Sequence, residues 1–244
     1  MTSALITGAS RGIGRGVALE LARLGYGLTV TARDPGVLEA LAEELRSSGA
    51  PTVVPVAADL ADRDALTAVV ERHAEAFGSM DALVLSGGTG TAGPLETLPA
   101  SRVDRTITVN LTSAIHLVQA ALPWLRAAAA SGPTASARVI LLASITGAYA
   151  EAGLAAYGAS KAALLSLAET LNAEESGGGV MATAVAPAYV DTDMSEWTKE
   201  TIPAETMLRV EDIVSIVRML LGLGRTASIT RIVVSRSGAS AYGA

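Results

Sequence analysis

The sequence contains no cysteine, and aromatic side chains make up only 3% of its 244 residues. Disulfide bonds and thiolate chemistry are therefore excluded. Two histidines are present, His73 and His116, and they lie too far apart in the chain to form a metal cluster on their own. Both fall in stretches with helical periodicity. We expect them at a helix surface or at the edge of the core, and we predict no metal site.

A basic surface and a long apolar run are also missing. The formal net charge is −6 and no basic patch occurs, which argues against nucleic acid or an anionic membrane as a partner. No apolar run approaches the ~20 residues that a membrane-spanning helix needs. The chain opens with an apolar strand that enters a glycine loop at once, which leaves no room for a signal peptide. We therefore expect a cytoplasmic protein.

Half of the residues are hydrophobic, and short apolar runs alternate with longer helical patterns along the whole chain. The runs lack strict polar alternation, which is typical of strands buried on both faces. This repetition predicts an α/β fold, a doubly wound Rossmann-type parallel sheet of about seven strands with helices on both faces. No linker divides residues 1–244, so one domain is expected. The predicted strands are Ala4–Thr7, Leu28–Ala32, Thr52–Ala57, Ala82–Leu85, Ala137–Ala143, Val180–Ala186 and Ile229–Val234. The predicted helices are Ile13–Leu24, Pro35–Ser47, Arg63–Phe77, Ser101–Arg126, Ala155–Glu175 and Val210–Leu221.

A glycine-rich loop follows the first predicted strand and opens a helix. It reads Thr7-Gly8-Ala9-Ser10-Arg11-Gly12-Ile13-Gly14. Glycines permit a tight turn and let the backbone approach a pyrophosphate, which then meets the N-terminus of the helix. The spacing alone also fits a plain structural turn. Its position between the first strand and a helix is the context that dinucleotide binding requires.

The end of the second strand, Ala32-Arg33-Asp34-Pro35, bears on the choice of dinucleotide. NAD-binding proteins usually place an acidic residue here for the ribose 2′-hydroxyl. Because Pro35 fits the first position of a helix, we interpret Asp34 as the N-cap of that helix. Arg33 then offers positive charge to a 2′-phosphate, and Arg11 can approach from the other side. These residues favour NADP(H) over NAD(H), with an ordinary surface role for Arg33 as the alternative.

Three polar residues indicate carbonyl chemistry. Ser144 ends the fifth predicted strand, and Tyr157 and Lys161 follow four residues apart on one helix face. Reduction of a ketone builds negative charge on its oxygen and needs a proton there. A tyrosine can deliver it if a neighbouring ammonium pulls its pKa down from about 10. Ser144 can hydrogen-bond the same oxygen, because ligands bind at the carboxyl ends of such strands.

Together these motifs resemble the short-chain dehydrogenase/reductase family, in its compact single-domain branch, over essentially the whole chain. The resemblance implies that Asp59 and Leu60 contact the adenine, and that Asn110 keeps a water chain between Lys161 and solvent. It also implies that Pro187, Val190 and Thr192 lie beside the nicotinamide. Read without the family, Asp59 is a strand-end cap and Asn110 is a polar residue in a long helix.

The chain departs from the family pattern at three places. Leu85-Ser86-Gly87-Gly88 replaces the usual Asn-Asn-Ala-Gly, which keeps the close backbone approach to the cofactor but loses the amides that brace the strands. Ala188 replaces a glycine beside the nicotinamide. The Asp-Gly-Gly that often follows the last strand is missing. The resemblance implies a homotetramer or homodimer, and this last departure affects one of the family's usual interfaces.

The predicted function is that of an NADP(H)-dependent oxidoreductase acting between a small-molecule ketone and the secondary alcohol. Residues 193–209, which include Met194 and Trp197, are interpreted as an amphipathic substrate lid, with a surface helix that has a hydrophobic underside as the alternative. Tyr149 and Tyr189 are candidates to line the same pocket. The alternative function is a non-catalytic dinucleotide-sensing protein, which nothing would oblige to keep Ser144, Tyr157, Lys161 and Asn110 together.

Overall fold

The computed structural model describes residues 1–131 and 135–239, and within them one seven-stranded sheet is found. Its strands are β1 (Ser3–Thr7), β2 (Gly27–Ala32), β3 (Val53–Ala57), β4 (Ala82–Leu85), β5 (Ala137–Leu142), β6 (Val180–Pro187) and β7 (Arg231–Val234). All neighbours pair in parallel in the order β3-β2-β1-β4-β5-β6-β7, which confirms the predicted sheet. Successive strands are added to one side of the sheet from β1 to β3 and to the other side from β4 to β7, so the strand order switches sides between β1 and β4. In such sheets the ligand crevice opens at this point.

Helices cover both faces of the sheet, as predicted. They are α1 (Gly12–Arg23), α2 (Pro35–Ser47), α3 (Arg63–Phe77), α4 (Ala100–Ile107), α5 (Ser113–Ser131), α6 (Ile145–Ala148), α7 (Ala155–Glu175) and α8 (Val210–Leu221). One apolar layer lies under α1, α2 and α8, and the other lies under α3, α5 and α7. On β1, Leu5 packs into the second layer while Ala4 and Ile6 pack into the first. Since both faces are buried, the strands need no polar alternation.

Helix α2 begins as the sequence predicts. The Asp34 carboxylate Oδ1 accepts the backbone N–H groups of Gly36 at 2.8 Å and Val37 at 3.1 Å, and Pro35 occupies the first helical position. These bonds satisfy donors that the first turn would otherwise leave unpaired. Asp34 is therefore committed to the helix cap, which confirms its interpretation.

The single helix predicted over Ser101–Arg126 is wrong in its middle. Helix α4 ends at Ile107, a π-helical turn follows at Thr108–Thr112, and α5 continues to Ser131. A π-turn inserts an extra residue per turn and is found mostly at functional sites. The structure also adds the short helix α6 directly after β5, where only a strand end was predicted.

His73 lies deeper than expected. Its ring is completely buried on α3, with Nδ1 2.9 Å from the hydroxyl of Thr29 and Nε2 3.1 Å from the carbonyl of Ser79. Among the described residues, no group of three or more acidic, histidine or cysteine side chains can hold a metal ion. Within the same residues, none of the helices has the length and apolar content to cross a membrane.

Candidate active site

A cleft of about 740 Å³ opens over the carboxyl ends of the central strands. Its wall includes every predicted site residue except Gly14 and Asn110, which lie behind it. The glycine loop, the ends of β2 and β4, and the residues after β5 and β6 therefore meet around one cavity. Residues after β3 and residues of α4 and α7 complete its wall.

The glycine loop needs residues without side chains for its shape. Gly8 and Gly12 have φ values of +64° and +52°, which other residues rarely adopt. A Cβ atom on Gly14 would lie 2.3 Å from the carbonyl oxygen of Gly8, so Gly14 serves the packing of the loop rather than the cleft wall. The loop ends at Arg11, whose side chain does not cap α1. The first N–H groups of α1 are thus left for an anion.

The segment Ser86-Gly87-Gly88 after β4 is braced in its own way. The N–H of Gly87 donates to the hydroxyl of Thr7 at 3.1 Å, which links the ends of β4 and β1. A Cβ on Gly87 would lie 2.4 Å from Leu60 Cδ1, so a larger residue there would require the Leu60 side chain to shift. The strand bracing that the missing family amides would give is therefore supplied, in part, by Thr7.

Arginines surround the end of the cleft where β2 and β3 finish. Arg11 Nη1 lies 3.1 Å from Asp193 Oδ2, and Arg105 Nη2 lies 3.0 Å from Asp59 Oδ2. The backbone N–H of Ala61 and the Arg105 guanidinium hold the pKa of the Asp59 carboxyl below its usual value, with a smaller contribution from the charge of Arg33. Within the described residues, Arg33 makes no hydrogen bond or ion pair and lines the cleft. Sequence reasoning missed Arg105, because nothing local links it to β3.

Ser144, Tyr157 and Lys161 meet in the wall as predicted. Ser144 caps helix α6, and its Oγ accepts the hydroxyl of Thr146 at 3.0 Å. On α7, Lys161 Nζ donates to the carbonyl of Leu142 at 2.7 Å and lies 5.7 Å from the centre of the Tyr157 ring. Thr146 also lines the cleft and was missed, although its position two residues after a strand-end serine was a usable signal.

The protonation of this group differs from the expectation in one respect. Burial raises the pKa of the Tyr157 phenol, a hydrogen bond with Ser144 opposes the rise, and the charge of Glu151 adds to it. Burial also lowers the pKa of Lys161 to about 8. The expected lowering of the Tyr157 pKa by Lys161 is therefore not what prevails here. Tyr157 is a neutral phenol at neutral pH, the form that can donate a proton.

Asn110 lies in the π-helical turn, behind the cleft wall. Its Oδ1 accepts the backbone N–H of Thr89 at 2.8 Å, and its Nδ2 donates to the carbonyl of Thr89 and to the hydroxyl of Ser160, each at 3.0 Å. It is almost fully buried. Asn110 thus ties the loop after β4 to α7, one residue before Lys161, and does not itself face the cavity.

The opposite end of the cleft is lined by larger side chains from the segment after β6. The ring of Trp197 stands edge-on to that of Tyr189, with 6.1 Å between ring centres. Tyr149, which was expected to line the pocket, is not part of the wall. In the predicted lid, Met194 and Trp197 are 44% and 60% exposed, whereas Ser195 and Thr198 are buried. The alternative of a surface helix with a hydrophobic underside therefore does not fit this end of the segment, where the apolar side chains open on the cleft and solvent.

The fold and the glycine-lined crevice define a Rossmann-type dinucleotide-binding protein. A family model described as short chain dehydrogenase matches residues 2–203, so the chain belongs to that family and is an oxidoreductase of it. This confirms the resemblance predicted from the sequence.

Individual relatives agree with this assignment. The chain is 32% identical over 209 residues to a 3-oxoacyl-(acyl-carrier-protein) reductase, FabG, of Staphylococcus aureus, covering 85% of this chain and 82% of the relative. The solved alcohol dehydrogenase of Thermococcus sibiricus, complexed with 5-hydroxy-NADP, has a TM-score of 0.86 at 29% identity over 98% of this chain and 97% of its own. A Burkholderia cenocepacia short chain dehydrogenase in complex with NADP has a TM-score of 0.83 at 28% identity, covering 96% and 95%.

Proposed function

We propose that the protein is an NADP(H)-dependent oxidoreductase that transfers hydride between the nicotinamide and a carbonyl or secondary alcohol carbon of a small molecule. The observation that carries this proposal is that Ser144, Tyr157 and Lys161 share one cleft with the glycine loop. Two relatives whose names describe a 3-oxoacyl reductase and an alcohol dehydrogenase support the reaction class. Solved relatives that hold NADP or a derivative of it support the cofactor.

The residues that line the cleft are suited to hold such a cofactor. The loop from Gly8 to Ile13 and the N-terminus of α1 would hold the pyrophosphate, because the backbone there has no side chain in the way. Arg33 lines the cleft without a hydrogen bond or ion pair in the described chain and would bind the 2′-phosphate; Arg11 would first have to release Asp193. When bound, the cofactor supplies or takes up the hydride. The nicotinamide end would be held by Ser86, Gly88, Pro187, Val190 and Thr192, and the adenine end by Ser10, Asp59 and Leu60.

Side chains of the cleft supply the proton. As negative charge grows on the substrate oxygen, the neutral Tyr157 phenol donates its proton to it. Ser144 accepts the hydroxyl of Thr146, so the proton that it shares with Tyr157 can also be donated to the same oxygen. The Lys161 ammonium, 5.7 Å from the Tyr157 ring, stabilises the phenolate left behind. Because its pKa is raised, Tyr157 is protonated at neutral pH, which is the form that a carbonyl reduction requires.

Two further roles follow from positions in the structure. We assign Asn110 a positioning role, since it fixes Thr89 and reaches Ser160 next to Lys161. Residues 193–209 would act as the substrate lid, with Trp197 and Met194 as its apolar contacts. A homodimer or homotetramer remains the expected assembly, which light scattering would measure.

The proposal is tested by fluorescence titration with NADPH and NADH in parallel, followed by a panel of ketones with NADPH. We expect tighter binding of NADPH and turnover of at least one ketone. Tight binding without turnover on a broad panel would favour the dinucleotide-sensing alternative. Absence of binding of either dinucleotide would contradict the assignment at its first step.

A further inference from the structure

A hydrogen-bonded pair, Tyr189 and Glu151, lies at the substrate end of the cleft and takes no part in the proposed chemistry. Tyr189, after β6, lines the cleft next to Trp197. Its hydroxyl donates to Glu151 Oε1 at 2.9 Å, and Glu151 belongs to the loop between α6 and α7. A carboxylate is thus held one contact behind the cleft wall, in the loop that leads to Tyr157.

The second oxygen of this carboxylate is unusual. Glu151 Oε2 is buried and has no hydrogen-bond partner in the described part of the chain. A buried carboxylate oxygen without a donor is costly, and such a group in a folded protein calls for an explanation. Within the described residues, no donor therefore offsets the negative charge on this oxygen.

The charge of Glu151 reaches the reacting end of the cleft. It raises the pKa of both Tyr189 and Tyr157, which places all three groups within electrostatic range of one another. The cationic groups facing them are Arg236, at the end of β7, and Lys161. The charge of Arg236 lowers the pKa of Tyr189, and its guanidinium also donates to the hydroxyl of Thr206 at 3.4 Å. Lys161 donates to a backbone carbonyl.

We propose that Glu151 determines the charge class of the substrate, favouring a neutral carbonyl compound over one with a carboxylate beside the carbonyl. The inference rests on the proposed function of the same cleft. A substrate carboxylate next to the reacting carbon would lie on the same side of the cleft as Tyr189, whose hydroxyl is bonded to the Glu151 carboxylate, and like charges repel. A neutral amide or hydroxyl suffers no such repulsion.

Pyruvamide and pyruvate test this proposal, because they have nearly the same shape and differ in charge beside the ketone. The measured quantity is the ratio of kcat/KM for pyruvamide to that for pyruvate, in the wild type and in Glu151→Gln. The glutamine keeps an acceptor for Tyr189 and removes only the charge. We expect the ratio to fall by about tenfold in Glu151→Gln, as a like-charge interaction at this range predicts.

Tyr189→Phe is the matched control, because it removes the hydrogen bond and leaves the carboxylate. The ratio should stay near the wild-type value in this variant, whatever happens to the individual rates. An unchanged ratio in Glu151→Gln, or equal changes of both rates, would overturn the proposal.

The proposed function fails only if no ketone of the broad panel is reduced; if pyruvamide and pyruvate alone are not reduced, calorimetric binding of lactamide and lactate to the NADP⁺ complex decides the inference separately. A preference for lactamide that is lost in Glu151→Gln supports it. Equal affinities in the wild type, or no binding of lactamide, would overturn it.

Discussion

The buried histidine gives a prediction whose size follows from the structure. His73 has no exposed surface, and burial lowers its pKa from 6.5 to about 4, with the hydrogen bond to the Ser79 carbonyl acting against the shift. Because the folded pKa lies below the unfolded value, the unfolded chain binds the proton first as the pH falls. The contribution to stability is therefore complete above the unfolded pKa and is lost as the pH falls toward the folded pKa. One pKa unit corresponds to 1.36 kcal/mol, so the full loss amounts to about 3 kcal/mol.

Most of this loss should appear between about pH 7 and pH 5, where few carboxylates titrate. The free energy of unfolding in urea, followed by tryptophan fluorescence, is expected to fall by about 2 kcal/mol over that interval in the wild type. His73→Gln should be less stable at pH 7 but should lack most of this decrease, while His116 and all carboxylates are common to both proteins. Equal losses in the two proteins would refute the assignment of the pH dependence to His73.

The remaining predictions concern the cleft. Arg33→Ala should weaken NADPH binding by roughly 10- to 100-fold, the value of a charge-assisted bond, and NADH binding far less; equal losses in parallel titrations would contradict its role at the 2′-phosphate. Thr146→Val, which removes the hydroxyl donor to Ser144 and leaves it only the backbone N–H of residue 146 at 3.3 Å, should lower kcat by roughly tenfold with unchanged NADPH affinity, and an unaltered kcat would remove Thr146 from the site. Gly14→Ala places a methyl 2.3 Å from a loop carbonyl and should lower the free energy of unfolding by about 1–3 kcal/mol, whereas Gly177→Ala, with open space around it, should not; similar denaturation midpoints would contradict this.

The parts of the fold that could be predicted are those encoded locally. The glycine loop and the cap at Asp34 depend on residues within a few positions of one another, and their geometry follows from backbone conformation and capping. The parallel sheet was predictable because its strands are apolar on both faces. The approach of Ser144 to the glycine loop then follows from the sheet order, since carboxyl ends of parallel strands meet at one edge, whereas Tyr157 reaches the site from the first turn of α7.

The parts that could not be predicted depend on contacts between distant segments. No glycine or proline near Asn110 in the sequence indicates the π-helical turn. The turn coincides with the hydrogen bonds between Asn110 and the distant residues Thr89 and Ser160. The ion pair between Arg105 and Asp59 joins residues far apart in the chain. The pKa of Tyr157 was misjudged because the sequence shows the nearby lysine but not the burial of the phenol.

The central claim is that Tyr157 donates the proton in a carbonyl reduction by this cleft. It is tested most directly by the rate of NADPH oxidation with the best ketone of the panel, measured for the wild type and Tyr157→Phe at equal occupancy by NADPH. The substitution removes one oxygen atom, so NADPH affinity should be nearly unchanged while the rate falls by at least roughly 100-fold. A Tyr157→Phe protein that binds NADPH normally and keeps a substantial part of the wild-type rate would contradict the claim.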